Sequence, residues 1–211
     1  VTIVQSMMRR NMALAVLSGL LLAAALPSPG IWIVSWVGLV PLLVAIREAR
    51  MRDAALLGLT CGLVYYGIFS FSMSILGFLC WAFVVLVQTT AMVVFAAVAC
   101  PLMKARNTWL RCLAVPAAWT AMQWMRGLGI FGVRLGSFAH TQANNLPVTQ
   151  ICSITGPWGI DFLLSFVSVA LVYALFPGRD KRSLAPLAAA LSLSIVVVAS
   201  GWLTLRNTPD Y

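Results

Sequence analysis

The amino-acid sequence predicts an all-α membrane protein, a polytopic bundle of about seven transmembrane helices. The chain has 211 residues, of which 62% are hydrophobic and only 9% are charged, and its mean hydropathy is +0.97. A soluble domain of this length needs a charged surface, which this composition does not supply. Within a bilayer, long runs that are apolar on all sides favour helices over the alternating strands of a barrel.

Seven apolar runs are predicted to form the spans of one transmembrane domain over residues 1–211. They lie near residues 11–26, 31–46, 54–73, 79–103, 109–125, 158–176 and 184–205, with a long loop at 126–157. The first run ends at "PSPG", where two prolines and a glycine break a helix. Arg9 and Arg10 before this run, and "AAAL" at its end, leave a secretory signal peptide as the alternative. A second apolar run follows at once, which favours a retained helix.

The basic residues are distributed unevenly between the two sides of this bundle. With a cytoplasmic N-terminus, eleven of the 14 Lys and Arg residues lie on the inner side, and three lie on the outer side. Because cytoplasmic loops collect positive charge, this predicts a multi-pass membrane protein with its C-terminus on the outer side. The net charge of +9 is explained in this way, and we expect no nucleic-acid partner.

The cysteines and the single histidine give no sign of a metal or cofactor site. None of the five cysteines forms a CxxC pair, so no zinc site is expected. Free cysteines pack as small hydrophobic residues. Cys80 and Cys152 both fall on the predicted outer side, which leaves a disulfide between them as an alternative.

The stretch "QWMRGLGIFGVRLGSFAHTQ", residues 123–142, is unusually polar and glycine-rich for its position between two apolar spans. Its glycines allow the backbone to fold back and approach another group closely. We expect substrate binding or docking of another domain to involve six residues here and in the next span: Trp124, Arg126, Arg134, His140, Gln142 and Asp161.

Each charged or titratable candidate also has a simpler interpretation. Arg126, three residues after Gln123 on the same helix face, is expected to extend towards the outer headgroups and cap the helix end, or to contact a lipid phosphate or a docked outer domain. Asp161 favours the dipole of the sixth span or pairs with Arg126 or Arg134. His140 has no evident Ser or Cys partner, so a hydrogen-bonding role is favoured over general-base catalysis.

Several of these motifs resemble the membrane part of the bacterial apolipoprotein N-acyltransferases. The fifth span carries "TWLR", Pro116, Trp119 and "QWMRG", followed by "GVRLGSFAHTQ" and "LPVTQICSITGPWGIDFLLSFVSVAL"; the early "PSPGIWIVSWVGLVPLL" is also similar to the family. The chain differs in having Gln123 where the family has glutamate, and residues 133–135, "VRL", where the family has "FPW".

The resemblance implies a multi-pass protein of the bacterial inner membrane with a periplasmic C-terminus. It also implies that chemistry takes place in a periplasmic nitrilase-like domain after the seventh helix. A Glu–Lys–Cys triad there takes an acyl chain from a phospholipid and passes it to the N-terminal diacylglyceryl-cysteine of a lipoprotein. The sequence stops at "TLRNTPDY", where that domain is expected, so the chain is interpreted as a fragment and no catalytic residue is assigned in it. On this view residues 123–142 form part of a docking floor and lipid entrance. A small transporter and a stand-alone membrane scaffold for a separate acyltransferase are the alternatives.

Overall fold

The computed structural model describes residues 2–26, 30–128, 132, 136–176 and 184–207, and over these residues the chain is all-helical, as the composition predicts. Six long helices account for most of it: α1 (Thr2–Ala24), α3 (Met51–Phe69), α4 (Phe78–Leu102), α5 (Thr108–Met125), α9 (Pro157–Leu175) and α10 (Ala185–Asn207). The shorter α2 (Val40–Arg47) and two 3-10 helices, η1 (Trp32–Trp36) and η2 (Ser70–Leu76), connect the first three of these.

Five of the described helical segments are long and apolar enough to cross a membrane. They comprise α1 from Gln5, α3 continued by η2, α4, α9 and α10. The run at 31–46, predicted as a single span, is instead broken into η1 and α2, and Pro41 stands at the start of α2. The 18-residue α5 is less apolar because Arg111, Gln123 and three tryptophans lower its hydropathy.

Close helix packing in the bundle depends on glycine. A Cβ added to Gly58 of α3 would lie 2.7 Å from the Cβ of Ala96 in α4, and one added to Gly19 of α1 would lie 2.8 Å from the Cys61 carbonyl oxygen. Small residues allow membrane helices to approach this closely. In this way α1 packs closely on α3 within the bundle, and its retention as a span stays a prediction.

The interior is organised around α9, in which 13 of the 19 residues are buried. At one end of the bundle, which we call the basic end, cationic side chains bind the carbonyl groups that terminate helices and turns. Arg47 donates to the Phe176 carbonyl, and Lys104 Nζ donates to the Ala49 carbonyl at 2.6 Å. Such contacts satisfy the last carbonyls of a helix and complement its dipole.

All five cysteines are free. The disulfide considered between Cys80 and Cys152 is therefore not formed. Cys80 lies in the first turn of α4, Cys152 begins a short helix far along the chain, and both are partly exposed. The three remaining cysteines are buried in the helix packing, as their apolar character predicts.

Candidate functional site

Residues 126–157, which we call the connecting segment, join α5 to α9 at the end of the bundle opposite the basic end. Three one-turn helices lie within it: α6 (Phe138–Thr141), α7 (Leu146–Thr149) and α8 (Cys152–Thr155). The segment packs tightly on the spans, since a Cβ added to Gly201 of α10 would lie 1.8 Å from the Pro147 carbonyl oxygen. Gly201 is therefore required for the contact between α7 and α10.

Gly136 fixes the described part of this segment against α3. Its φ angle is +72°, a left-handed conformation that glycine adopts without a steric penalty. The Tyr65 hydroxyl donates to the Gly136 carbonyl at 2.5 Å, and an added Cβ would lie 3.1 Å from the Phe69 ring. The position thus requires both the backbone freedom and the small size of glycine.

Asp161 of α9 holds the start of α6. Its side chain is fully buried, and Oδ1 accepts a hydrogen bond from the Phe138 backbone N–H at 3.0 Å. The hydrogen-bond partner of Oδ1 is therefore a backbone amide, whereas the pairing of this carboxylate with Arg126 or Arg134 stays a prediction. Asp161 also lies beyond the first turn of α9, so the dipole of its own helix does not explain it. It satisfies instead a free N–H at the beginning of α6.

Gln142 attaches the other end of α6 to η1. Its Nε2 donates to the Trp32 carbonyl at 3.1 Å and to Ser35 Oγ at 2.9 Å, while its Oε1 accepts from Asn145 Nδ2 at 3.1 Å. The side chain is fully buried. The amide thus links the connecting segment to the segment that precedes α2.

Arg126 lies at the C-terminal end of α5 and belongs to a polar cluster formed with Tyr66, Gln88 and Gln123. Its Nε donates to Gln88 Oε1 at 2.8 Å, and its NH1 donates to Gln123 Oε1, the residue one turn earlier on the same helix. The guanidinium also lies 4.9 Å from the centre of the Tyr66 ring, a cation–π contact. The expectation that Arg126 extends outward to headgroups is wrong, because these contacts hold it inward with only 9% of its surface exposed.

His140 and Trp124 lie at the surface, and the His140 side chain contacts Ser137, the residue that precedes α6. The Ser137 backbone N–H donates to His140 Nδ1 at 3.2 Å, and the Ser137 hydroxyl lies 2.9 Å from the same nitrogen. Partial burial and, to a lesser extent, the charge of Arg126 lower the pKa of His140 from its usual value of 6.5. Trp124 is half exposed. Arg134 lies outside the described residues.

Sequence reasoning singled out Arg126, Gln142 and Asp161 but missed the residues that hold them. Gln88 accepts the hydrogen bond of Arg126 from another helix. Tyr65, which was also missed, donates to the Gly136 carbonyl and so holds the connecting segment itself. A signal for Gln88 was present, since "QTT" is the polar stretch of the apolar α4. Together these contacts make a rigid, buried attachment for the connecting segment. Among the described residues no group of His, Cys, Asp and Glu side chains is arranged to hold a metal ion.

The family model described as the apolipoprotein N-acyltransferase N-terminal domain matches residues 18–170, most of the chain. The match includes η1, the polar cluster, the described part of the connecting segment and most of α9. The chain belongs to the apolipoprotein N-acyltransferase family.

Curated relatives in this family match nearly the full length of the chain. The apolipoprotein N-acyltransferase of Geobacter metallireducens is 32% identical over 94% of the chain, and that of Chlorobaculum tepidum is 29% identical over 92%. Apolipoprotein N-acyltransferase 1 of Treponema denticola is 25% identical over 82%. The chain spans between 32% and 40% of the length of these three relatives.

Proposed function

We propose that this chain is the membrane-spanning part of an apolipoprotein N-acyltransferase. The connecting segment would position the catalytic domain of the complete enzyme on the periplasmic side of the inner membrane. Two substrates follow from this family: a phospholipid that gives an acyl chain, and a lipoprotein with an N-terminal diacylglyceryl-cysteine that receives it. The family match over residues 18–170 is the observation that carries the proposal.

The reaction proposed for the complete enzyme has two acyl-transfer steps. A cysteine thiolate attacks an ester carbonyl of the phospholipid, forming a thioester and releasing the lysophospholipid. The free α-amino group of the lipoprotein then attacks the thioester, forming an amide and restoring the thiol. None of the five cysteines of this chain is assigned to this step. Three are buried between helices, and burial together with the charge of Asp161 raises the pKa of the partly exposed Cys152 thiol, which disfavours the thiolate.

The role proposed for this part of the enzyme is to hold the connecting segment in a fixed position at the membrane surface. Three buried contacts from different elements support that role: Tyr65 to Gly136, Asp161 to Phe138, and Gln142 to Ser35. They tie α6 to α3, α9 and η1 at once. Two lipid substrates require such positioning, because acyl transfer depends on reacting groups being held in a narrow range of geometries.

A chimera tests this proposal directly. In the Geobacter metallireducens relative, the aligned part is replaced by these 211 residues, and membranes are incubated with phospholipid and a diacylglyceryl-cysteine lipopeptide. We expect mass spectrometry to detect the lipopeptide with one added acyl group. The unmodified relative is the positive control, and the same relative without its aligned part is the negative control. A chimera that inserts at normal levels and acylates no lipopeptide would contradict the proposal.

The proposed orientation has its own test. Reporter fusions after His140 and after Asn207 should be active in the periplasm, whereas a fusion after Lys104 should be active in the cytoplasm. The uneven distribution of basic residues predicts this arrangement. Cytoplasmic activity of the first two fusions would place the connecting segment on the wrong side for the proposed substrates.

A further inference from the structure

The basic end sets a level from which depth within the bundle can be measured. Lys104, which follows α4, donates to the Ala49 carbonyl just before α3, and Arg47 donates to the Phe176 carbonyl just after α9. One end of α3, of α4 and of α9 is therefore held at a common level. Because charged groups are costly within hydrocarbon, the near boundary of the hydrocarbon core lies at these cations and not beyond them.

The connecting segment is attached to two of these helices at equal distances from the basic end. Tyr65, which binds the Gly136 carbonyl, lies 14 residues after the start of α3. Asp161, which binds the Phe138 N–H, lies 14 residues before the end of α9. With a rise of about 1.5 Å per residue, both attachments lie about 21 Å from the basic end.

Two further contacts place the connecting segment between the helices rather than on top of them. Phe138 is fully buried, and its ring centre lies 4.8 Å from that of Trp119, which is six residues before the end of α5. Pro147 lies against Gly201, which is six residues before the end of α10. The described part of the segment therefore reaches about 9 Å below the ends of α5 and α10.

The level of these attachments falls inside the hydrocarbon core of a bilayer. The core is about 30 Å thick, so its far boundary, opposite the basic end, lies about 9 Å beyond the attachments. The α3–α4 hairpin is long enough to reach that boundary, since the 25 residues of α4 span about 37 Å. A bilayer positioned further along this hairpin would leave the attachments deeper still.

The exposed side chains of the segment are suited to hydrocarbon rather than to water. Residues 136–157 contain no Lys, Arg, Asp or Glu, whereas Leu146 is exposed and Ile154 is 86% exposed. Non-helical backbone is tolerated at membrane depth only where protein or a water-filled cavity satisfies its polar groups. The hydrogen bonds from α3 to Gly136 and from Phe138 to α9 meet that requirement.

We propose that residues 136–157 form a re-entrant element, which enters the leaflet opposite the basic end and contacts acyl chains through Leu146 and Ile154. The face of the bundle on that side is therefore stepped. The α3–α4 hairpin reaches the headgroups, whereas α6 lies about 9 Å below the far boundary of the hydrocarbon core. The proposed function requires only that the segment is fixed on this side of the bundle, and its depth is an additional property.

Depth measurements by electron paramagnetic resonance test the placement. Leu146→Cys, Ile75→Cys and Val94→Cys are each made in a chain whose five cysteines are replaced by alanine, labelled with a nitroxide and placed in phosphatidylethanolamine–phosphatidylglycerol vesicles. Collisions of each label with oxygen and with a water-soluble nickel chelate give its depth. Val94, about 12 Å from the basic end along α4, is the reference for a label within hydrocarbon.

The sharpest comparison is between Leu146 and Ile75, which are both exposed. Ile75 belongs to a segment long and apolar enough to span the membrane, whereas Leu146 lies in a connection between spans. We expect the label at Leu146 to lie about 9 Å inside the far boundary, and the label at Ile75 to lie at that boundary or outside it. Access of the nickel chelate to Leu146 equal to or greater than its access to Ile75 would overturn the proposal.

A second measurement requires no substitution. The unaltered chain in the same vesicles is treated with hydroxyl radicals in the water or with an apolar diazirine dissolved in the lipid. Mass spectrometry then locates the labels, normalised to the denatured chain. We expect the diazirine to label residues 146–154, and the radicals to label residues 71–79 more strongly than residues 146–154. The opposite order of radical labelling would overturn the proposal even if the cysteine variants fail to fold.

The depth of the segment and the proposed function can fail separately. A chimera that acylates lipopeptide while the Leu146 label is open to the nickel chelate would leave the function standing and remove the re-entrant placement. A Leu146 label within hydrocarbon in a chimera that inserts normally but is inactive would keep the placement and contradict the function.

Discussion

Two regions of the molecule differ in whether polar or apolar side chains are buried. At the attachment of the connecting segment, the polar side chains of Arg126, Gln142 and Asp161 are turned inward and hydrogen-bonded. At the tip of the α3–α4 hairpin, large apolar side chains are turned outward: Phe71, Ile75, Leu76, Phe78 and Leu79. Ile75 is 88% exposed, and Asp161 is fully buried.

The difference follows from the solvent around a membrane protein. An apolar side chain costs nothing against lipid, whereas a polar group must find a partner within the protein. A substitution at the attachment of the connecting segment should therefore destabilise the fold, whereas a substitution at the hairpin tip should not. Substitutions in the two regions test this contrast.

The largest effect is expected for Arg126→Ala. The change leaves Gln88 Oε1 and Gln123 Oε1 buried without the donor they now share, and removes the cation–π contact with Tyr66. We expect the free energy of unfolding to fall by about 3 kcal/mol, measured by denaturation in micelles. Arg206→Ala, in the exposed last turn of α10, is the control and should change it by less than about 0.5 kcal/mol. Equal losses in both variants would mean that the polar cluster does not stabilise the bundle.

A smaller loss is expected for Gly136→Ala. The substitution forces a side chain into a left-handed conformation and against the Phe69 ring, which together cost about 1–3 kcal/mol. Hydrogen exchange within residues 136–142 should become faster. The control is Gly67→Ala, two residues from both Tyr65 and Phe69 in α3. The nearest atom to an added Cβ there lies 4.0 Å away, so the substitution should stabilise the helix. A stabilised Gly136→Ala variant would contradict this description of the attachment.

Composition and run length predict the helical membrane class because each span satisfies its own backbone, so the type of element follows from local sequence. The three-residue spacing of Gln123 and Arg126 also predicts a shared face, and their hydrogen bond confirms it. The polar "QTT" stretch marks Gln88, but its pairing with Arg126 could not be predicted, since α4 is apolar around nearly its whole circumference and its periodicity does not indicate which face meets α5. The backbone amide of Phe138 that donates to Asp161 could not be predicted either, because almost every residue carries such a donor and side-chain pairing rules do not consider it.

A pH-dependent effect at His140 is expected to be smaller again. Nδ1 accepts from the Ser137 N–H, which requires an unprotonated nitrogen, and the pKa of His140 is lowered in the folded state. The unfolded chain therefore binds a proton more readily, and stability present above about pH 6.5 is lost as pH falls towards the lowered pKa. Hydrogen exchange of residues 137–142 should accelerate over that interval. In His140→Gln the rate of exchange should depend on pH only through the intrinsic chemistry of exchange. If the pH profile of this variant is the same as that of the unaltered chain, His140 is not the cause.

The smallest effect is expected for Ile75→Ser at the hairpin tip. Because the side chain is 88% exposed within the bundle, its replacement removes almost no packing, and the free energy of unfolding should change by less than about 0.5 kcal/mol in detergent. Leu57→Ser is the matched comparison, since Leu57 is fully buried in α3 and its loss should cost more than about 3 kcal/mol. A loss at Ile75 approaching that at Leu57 would show that the tip is packed within the bundle. A negligible loss means that whatever covers these five apolar side chains lies outside the bundle. The hairpin tip and the attachment of the connecting segment then differ in what they contact, and the polarity of their side chains follows from that difference.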